Sequence, residues 1–127
     1  MTISRINFTS IPAADQDRAI AFYTGHLGFE VTLDAPYEEG WRWIFLSLPG
    51  AETRLHLAKS SELSWIEGMP ALTLVSDDVD AEAERLKAAG VEITMGPDTA
   101  PWAPQVRFLM IRDSEANIVL LESVKGA

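Results

Sequence analysis

Cysteine is absent from this chain. That removes disulfides, thiolate metal ligands and a cysteine nucleophile at once. Basic residues are few: ten Lys and Arg stand against nineteen Asp and Glu, for a formal net charge of −9. Binding to a phosphate backbone draws on clustered positive charge, so no nucleic-acid partner is expected. Histidine occurs twice, which confines imidazole chemistry to His26 and His56. No apolar run approaches the roughly 20 residues needed to span a bilayer. No membrane association is expected. Met1 to Arg5 lack the charged start, apolar middle and small-residue cleavage site of a signal peptide, so the expected location is cytoplasmic. There is no Gly-rich phosphate loop and no Ser-centred hydrolase motif. Ser10 and Ser47 have no neighbouring base visible in the sequence.

What is present is a soluble-type composition, 47% apolar over 127 residues, enough for one domain with a core. The acidic balance either serves solubility or draws in a cationic ligand.

The periodicities fall into two similar halves. Ile3 to Ile11 alternates as a strand does, and Pro12-Ala13-Ala14 ends it. Asp15 is placed to cap a helix, with Asp17 adding negative charge in its first turn. Ala19, Ile20, Tyr23 and Leu27 recur at helical spacing, and Gly28 can close the helix. Phe29 to Leu33 is a strand, and Asp34 to Gly40, with its Pro, Glu and Gly, is expected as a loop. Trp41 to Leu48 and Thr53 to Ala58 are further strands. Ser60 to Gly68 is a connector with room for a helical turn near Trp65. The order then recurs. Ala71 to Val75 is a strand, and Asp78 and Asp80 repeat the cap. Val79, Ala83, Leu86 and Ala89 form a helical stripe closed by Gly90. Val91 to Ile93, Gln105 to Ile111 and Asn117 to Glu122 are strands, with a loop over Gly96 to Pro104. The period is about 63 residues, too long for a solenoid and suited to a pseudo-two-fold domain. One domain over 1–127 is expected, with module 1 about 1–59, a connector about 60–69 and module 2 about 70–127.

The segment Asp15-Gln16-Asp17-Arg18-Ala19-Ile20-Ala21-Phe22-Tyr23, followed by Leu27-Gly28-Phe29-Glu30-Val31, resembles the first-module signature of the vicinal oxygen chelate superfamily. That superfamily spans glyoxalase I, bleomycin-resistance proteins and extradiol dioxygenases. Asp77-Asp78-Val79-Asp80 with Leu86-Lys87-Ala88-Ala89-Gly90-Val91 is similar to its second-module helix. Arg112-Asp113-Ser114-Glu115-Ala116-Asn117 resembles its Arg-Asp-Pro-x-Gly-Asn turn, with Ser114 and Ala116 replacing the Pro and Gly. The resemblance implies an α+β fold of tandem βαβββ modules, curved mixed sheets around a concave cleft, and a homodimer. It does not single out an activity.

Metal-dependent members place a donor on each of four strands, because a divalent ion needs several converging His, Glu or Gln groups and open positions for substrate oxygens. Carried onto this chain, those positions are Phe8, His56, Ala71 and Leu120. Only His56 can coordinate a metal. The expectation is therefore no metal and no cofactor. Asn117 and Glu122, though near in sequence, are not assigned to a site.

A cleft lined by Phe8, Ala71 and Leu120 should be apolar. Alternation sends Trp41, Trp43 and Phe45 one way and Ile44, Leu46 and Leu48 the other. The aliphatic face is expected on the helix and the aromatic face in the cleft, where rings take planar or cationic ligands by stacking and cation–π contact. The same rings could instead fill the cavity or a dimer interface. Trp65 and Trp102 are candidates for a rim or for plain surface packing. His56 is either a polar handle that can also move a proton, or a neutral imidazole bonded inside the sheet. The candidate ligand-binding set is Phe8, Trp41, Trp43, Phe45, His56, Phe108, Leu120 and Trp102, with His56 the sole catalytic candidate. Arg54, Arg107 and Arg112 lie on strands. Arg54 and Arg112 could bind an acidic group or pair with Glu122, and ion pairing is the expected role of each.

Two functions remain open. One is a metal-independent binding protein that holds an organic ligand, a cationic aromatic one among the candidates, with sequestration as its purpose. The other is a glyoxalase-like lyase, isomerase or dioxygenase, either metal-free through His56 or with a non-standard metal site.

Overall fold

Two aspartates set the starts of the two helices in the computed structural model, which describes residues 2–124. Asp15 accepts the Arg18 N–H at 3.0 Å, and Asp78 accepts that of Ala81 at 3.1 Å. Each thereby satisfies a donor that has no partner inside its helix. The helices are α1, Gln16–His26, and α2, Val79–Ala88. Among the described residues no helix is long and apolar enough to cross a membrane.

The chain divides into two compact units, Met1–Ser64 and Trp65–Ala127. Unit 1 carries β1 (Phe8–Ala13), α1, β2 (Glu30–Glu38), β3 (Trp41–Ser47) and β4 (Arg54–Lys59). Unit 2 carries β5 (Pro70–Val75), α2, β6 (Ile93–Thr99), β7 (Val106–Arg112) and β8 (Ile118–Val124). The sheet orders are β1-β4-β3-β2 and β5-β8-β7-β6. In both, the first and last strands of the unit pair in parallel while the other neighbours are antiparallel. Each unit is a βαβββ module, and the fold is α+β.

The two faces of each sheet are told apart by ion pairs. Arg42 on β3 reaches Asp17 on α1 at 2.8 Å, so Arg42 and its alternates Ile44 and Leu46 look toward the helix. Ile44 and Leu46 are fully buried, as are Ile11 on β1 and Leu57 on β4, which pair in register. In unit 2, Arg107 binds Asp80 on α2, with Nε 3.2 Å from a carboxylate oxygen. Its alternates Leu109 and Ile111 are likewise fully buried.

A second link ties α1 to β3. The Gln16 side chain donates to the Arg42 carbonyl at 2.7 Å and accepts the Arg42 N–H at 3.1 Å. The paired residues of β3 and β4 are Phe45 with His56 and Leu46 with Leu55. Beyond Phe45, the buried Gln16 amide supplies both halves of the backbone pairing that β4 no longer offers.

Several sequence expectations change. Strand β1 begins at Phe8, and Ile3 and Ile6 are exposed. It continues through Pro12, which an edge strand tolerates because no ladder bond is needed on its outer side. The expected loop at Asp34–Gly40 is largely strand, and that at Gly96–Pro104 is strand over its first four residues and irregular beyond them. β2 runs to Glu38 and β6 to Thr99, with register shifts in both. Both are edge strands, where bulges and prolines fit. Gly96 has φ +82°, and a Cβ there would lie 2.6 Å from the Phe108 carbonyl oxygen, so its lack of a side chain is required. No helical turn forms around Trp65, whose indole N–H donates to the Pro70 carbonyl at 3.0 Å.

The turn before β8 rests on Asp113, which accepts the N–H groups of Glu115 and Asn117, both at 2.8 Å. Ala116 in this turn has φ +67°, a left-handed conformation that a Cβ penalises by roughly 1–2 kcal/mol. Ala116→Gly is therefore expected to raise unfolding stability by about 1 kcal/mol in urea denaturation. Unchanged or lowered stability would count against this strain.

Candidate functional site

The face of the unit 1 sheet turned away from α1 gathers aromatic residues. Phe8 on β1 pairs in register with Arg54 on β4, and Ser10 with His56. Trp43 and Phe45 come from β3. The Phe8 ring stands 6.2 Å from that of Trp43, 5.0 Å from Phe45 and 5.4 Å from His56, mostly edge-on. Trp43 lies over His56, with centroids 4.1 Å apart and planes 32° from parallel. Tyr37 on β2 adds a ring 5.1 Å from Trp43 and is itself exposed.

His56 is buried, with 8% of its surface exposed. Its Nδ1 lies 3.0 Å from Ser10 Oγ. Its Nε2 is buried and has no hydrogen-bond partner among the described residues. If Nδ1 carries the proton, it donates to Ser10 and Nε2 is a free acceptor. If the Ser10 hydroxyl donates, Nε2 carries the proton and is a free donor. Burial lowers the His56 pKa from its ordinary value of 6.5, because the surrounding rings do not solvate a cation.

At one end of this face Arg54 lays its guanidinium over Phe45, 4.0 Å from the ring centroid, and donates to Asn7 Oδ1 at 2.6 Å. It makes no ion pair among the described residues, contrary to expectation. Arg107 and Arg112 do pair, with Asp80 and Glu92. Arg112 therefore goes to Glu92 rather than Glu122.

Four of the expected site residues, Phe8, Trp43, Phe45 and His56, thus meet on one face. Trp41 does not join them. It lies at the start of β3 past the shift between Pro36 and Glu38, and the Lys59 ammonium, ion-paired with Glu38, is 5.9 Å from its ring. Phe108, Leu120 and Trp102 belong to unit 2. Phe108 and Leu120 share a buried cluster with Ala100 and Val106. Trp102 is 57% exposed and packs on Phe108 with centroids 5.4 Å apart. Ser10 and Tyr37 were missed as members of the site. The His56 base beside Ser10 was invisible because the two sit on strands 46 residues apart in sequence.

Metal binding can be tested against these positions. Phe8 packs against the His56 ring, and Leu120 lies in a hydrocarbon cluster on the face opposite Arg107. Ala71 is buried beside a register shift. Asn117 is taken up by Asp113 at 3.0 Å. Among the described residues no three His, Cys, Asp or Glu side chains gather as a metal site would require. The residues present do not fit a divalent ion held in the manner of the metal-dependent relatives.

The sequence profile of the Glyoxalase/Bleomycin resistance protein/Dioxygenase superfamily matches residues 5–120. The chain belongs to this superfamily. Among solved structures it is similar to TnmS3, an antibiotic binding protein from Streptomyces sp. CB03234. The two share 35% identity and a TM-score of 0.79, over 98% of this chain and 99% of that one. Among curated proteins it is similar to YurT of Bacillus subtilis (strain 168), 39% identical over 73% of this chain and 80% of YurT. YetH of the same organism is 29% identical over 94% of this chain and 98% of YetH. The superfamily fold thus carries, here, a first-module face where rings crowd His56.

The His56 imidazole is expected to titrate below 6.5 when followed by proton NMR. The unfolded chain takes up this proton near 6.5 while the native state resists it. The corresponding stability is therefore full above that pH and falls as pH drops through it. A native pKa at or above 6.5 would refute the buried, neutral assignment.

Proposed function

We propose that this protein is a metal-independent small-molecule binding protein of the glyoxalase/bleomycin-resistance type. It holds an organic ligand with a flat aromatic ring against the unit 1 face, for stoichiometric sequestration. The observation that carries this reading is His56 Nε2, a buried polar atom without a partner among the described residues, inside a wall of three aromatic rings. Leaving such an atom unpaired costs roughly 1–3 kcal/mol, and a ligand that displaces one of the covering rings, bonds the nitrogen and stacks on Trp43 would recover that cost. The similarity to TnmS3 supports the class. The overall charge of −9 favours cationic ligands at long range, whereas the face itself carries Arg54.

A second reading rests on the Ser10–His56 pair. With the proton on Nδ1, a neutral imidazole presents Nε2 as a general base, which would suit a metal-free proton transfer. A bound ligand recovered chemically unchanged after prolonged incubation supports the binder. Its conversion, lost in His56→Ala, supports the enzyme.

Titration with a panel of planar aromatic antibiotics should quench tryptophan fluorescence and saturate at a fixed stoichiometry. Trp43→Ala should weaken the affinity of whichever member binds by a factor of about 2 to 30, the worth of one stacking contact. A panel in which nothing binds, or binding indifferent to Trp43, would reject the proposal.

A further inference from the structure

We infer that the ligand of the unit 1 face is an anionic arene, such as an aromatic carboxylate, with its charged oxygens bound by Arg54. The inference rests on the binding reading above and adds the sign of the ligand's charge. Arg54 shares the face of Phe8 and His56 by strand alternation and register. A guanidinium has five N–H donors in a planar fork. One of them goes to Asn7 Oδ1, and the plane is held near the Phe45 ring. No carboxylate is ion-paired with it among the described residues, although the chain holds nineteen Asp and Glu. Arg42, Arg85, Arg107 and Arg112 all have carboxylate partners.

The surroundings fit an anion at the end of an aromatic surface. Arg54 lines an open cleft of about 460 Å³ in unit 1, together with Arg5, Thr32 and Ser47. Ser47 follows Trp43 and Phe45 in the alternation of β3, so the aromatic face runs into this cleft. Ser47 Oγ lies 2.9 Å from Thr32 Oγ1, giving hydroxyl groups at its floor. Arg5 points a guanidinium N–H at the Glu52 backbone carbonyl, 3.4 Å away. Glu30 and Glu52 also line the cleft, and neither is ion-paired with Arg5 or Arg54 among the described residues. A carboxylate matches the guanidinium fork with two parallel hydrogen bonds, the strong form of this contact. A cationic arene would meet Arg54 with like charge.

The test uses three matched probes in isothermal titration calorimetry at low salt and pH 7.5: 2-naphthoate, 2-naphthamide and a 2-naphthyltrimethylammonium salt. The expected order is naphthoate over naphthamide by about tenfold, with the cation weakest, and the naphthoate advantage shrinking as salt rises. Arg54→Met keeps an apolar stem and should erase the naphthoate advantage, bringing naphthoate and naphthamide to similar affinities. Equal binding of naphthoate and naphthamide, or tightest binding of the cation, overturns the charge assignment while leaving the binding reading intact. Binding of none of the three, with the antibiotic panel also silent, overturns the binding reading and this inference with it. The wild-type ranking decides the sign of charge even where the variant does not fold.

Discussion

The two-residue period of the strands, pinned to one phase by α1, is the constraint from which the site follows. A slip of one residue would exchange every side chain between faces. Two contacts oppose such a slip in β3. Gln16 binds both backbone groups of Arg42, and the Arg42 side chain binds Asp17. With Arg42 held toward the helix, Ile44 and Leu46 must enter the core, and Trp43 and Phe45 must face away from it. Parallel pairing of β1 with β4 then brings Phe8 and His56 to the same side.

That placement changes what a lone histidine can do. In a metal centre its ring nitrogen would be one donor among several. Here the neighbours at ring-contact distance are Phe8, Trp43 and Phe45. They exclude water without offering hydrogen bonds, so burial favours the neutral imidazole. Ser10 takes up Nδ1, and the remaining nitrogen is left to whatever occupies the face. Charge enters at the margin, through Arg54 and the Arg5, Glu30 and Glu52 side chains that line the same cleft. Unit 2 uses the same strand order with a different lining: Phe108, Val106 and Leu120 make a buried hydrocarbon cluster.

The sequence made much of this legible. Asp15 and Asp78 announced the helix starts because capping is local chemistry. The alternation of Trp43 to Leu46 announced the faces because burial follows the pleat. Less accessible were β2 and β6, whose Pro, Gly and acidic residues read as loop. On edge strands those residues cost little, and only pairing with β3 and β7 reveals them as strand. Contacts set by register were hidden as well. Ser10 beside His56, Gln16 on Arg42, Arg112 on Glu92 and the isolation of Trp41 all depend on which residue faces which across strands, and no spacing in one chain segment encodes that.

The most direct test of the central claim is a crystal structure of the protein grown with added Zn²⁺. Phe8, Trp43 and Phe45 should surround His56 on the side away from α1, with no ion held there by several protein side chains. A zinc ion coordinated by His56 together with other side chains of the chain, or those rings turned into the helix-facing core, would contradict it.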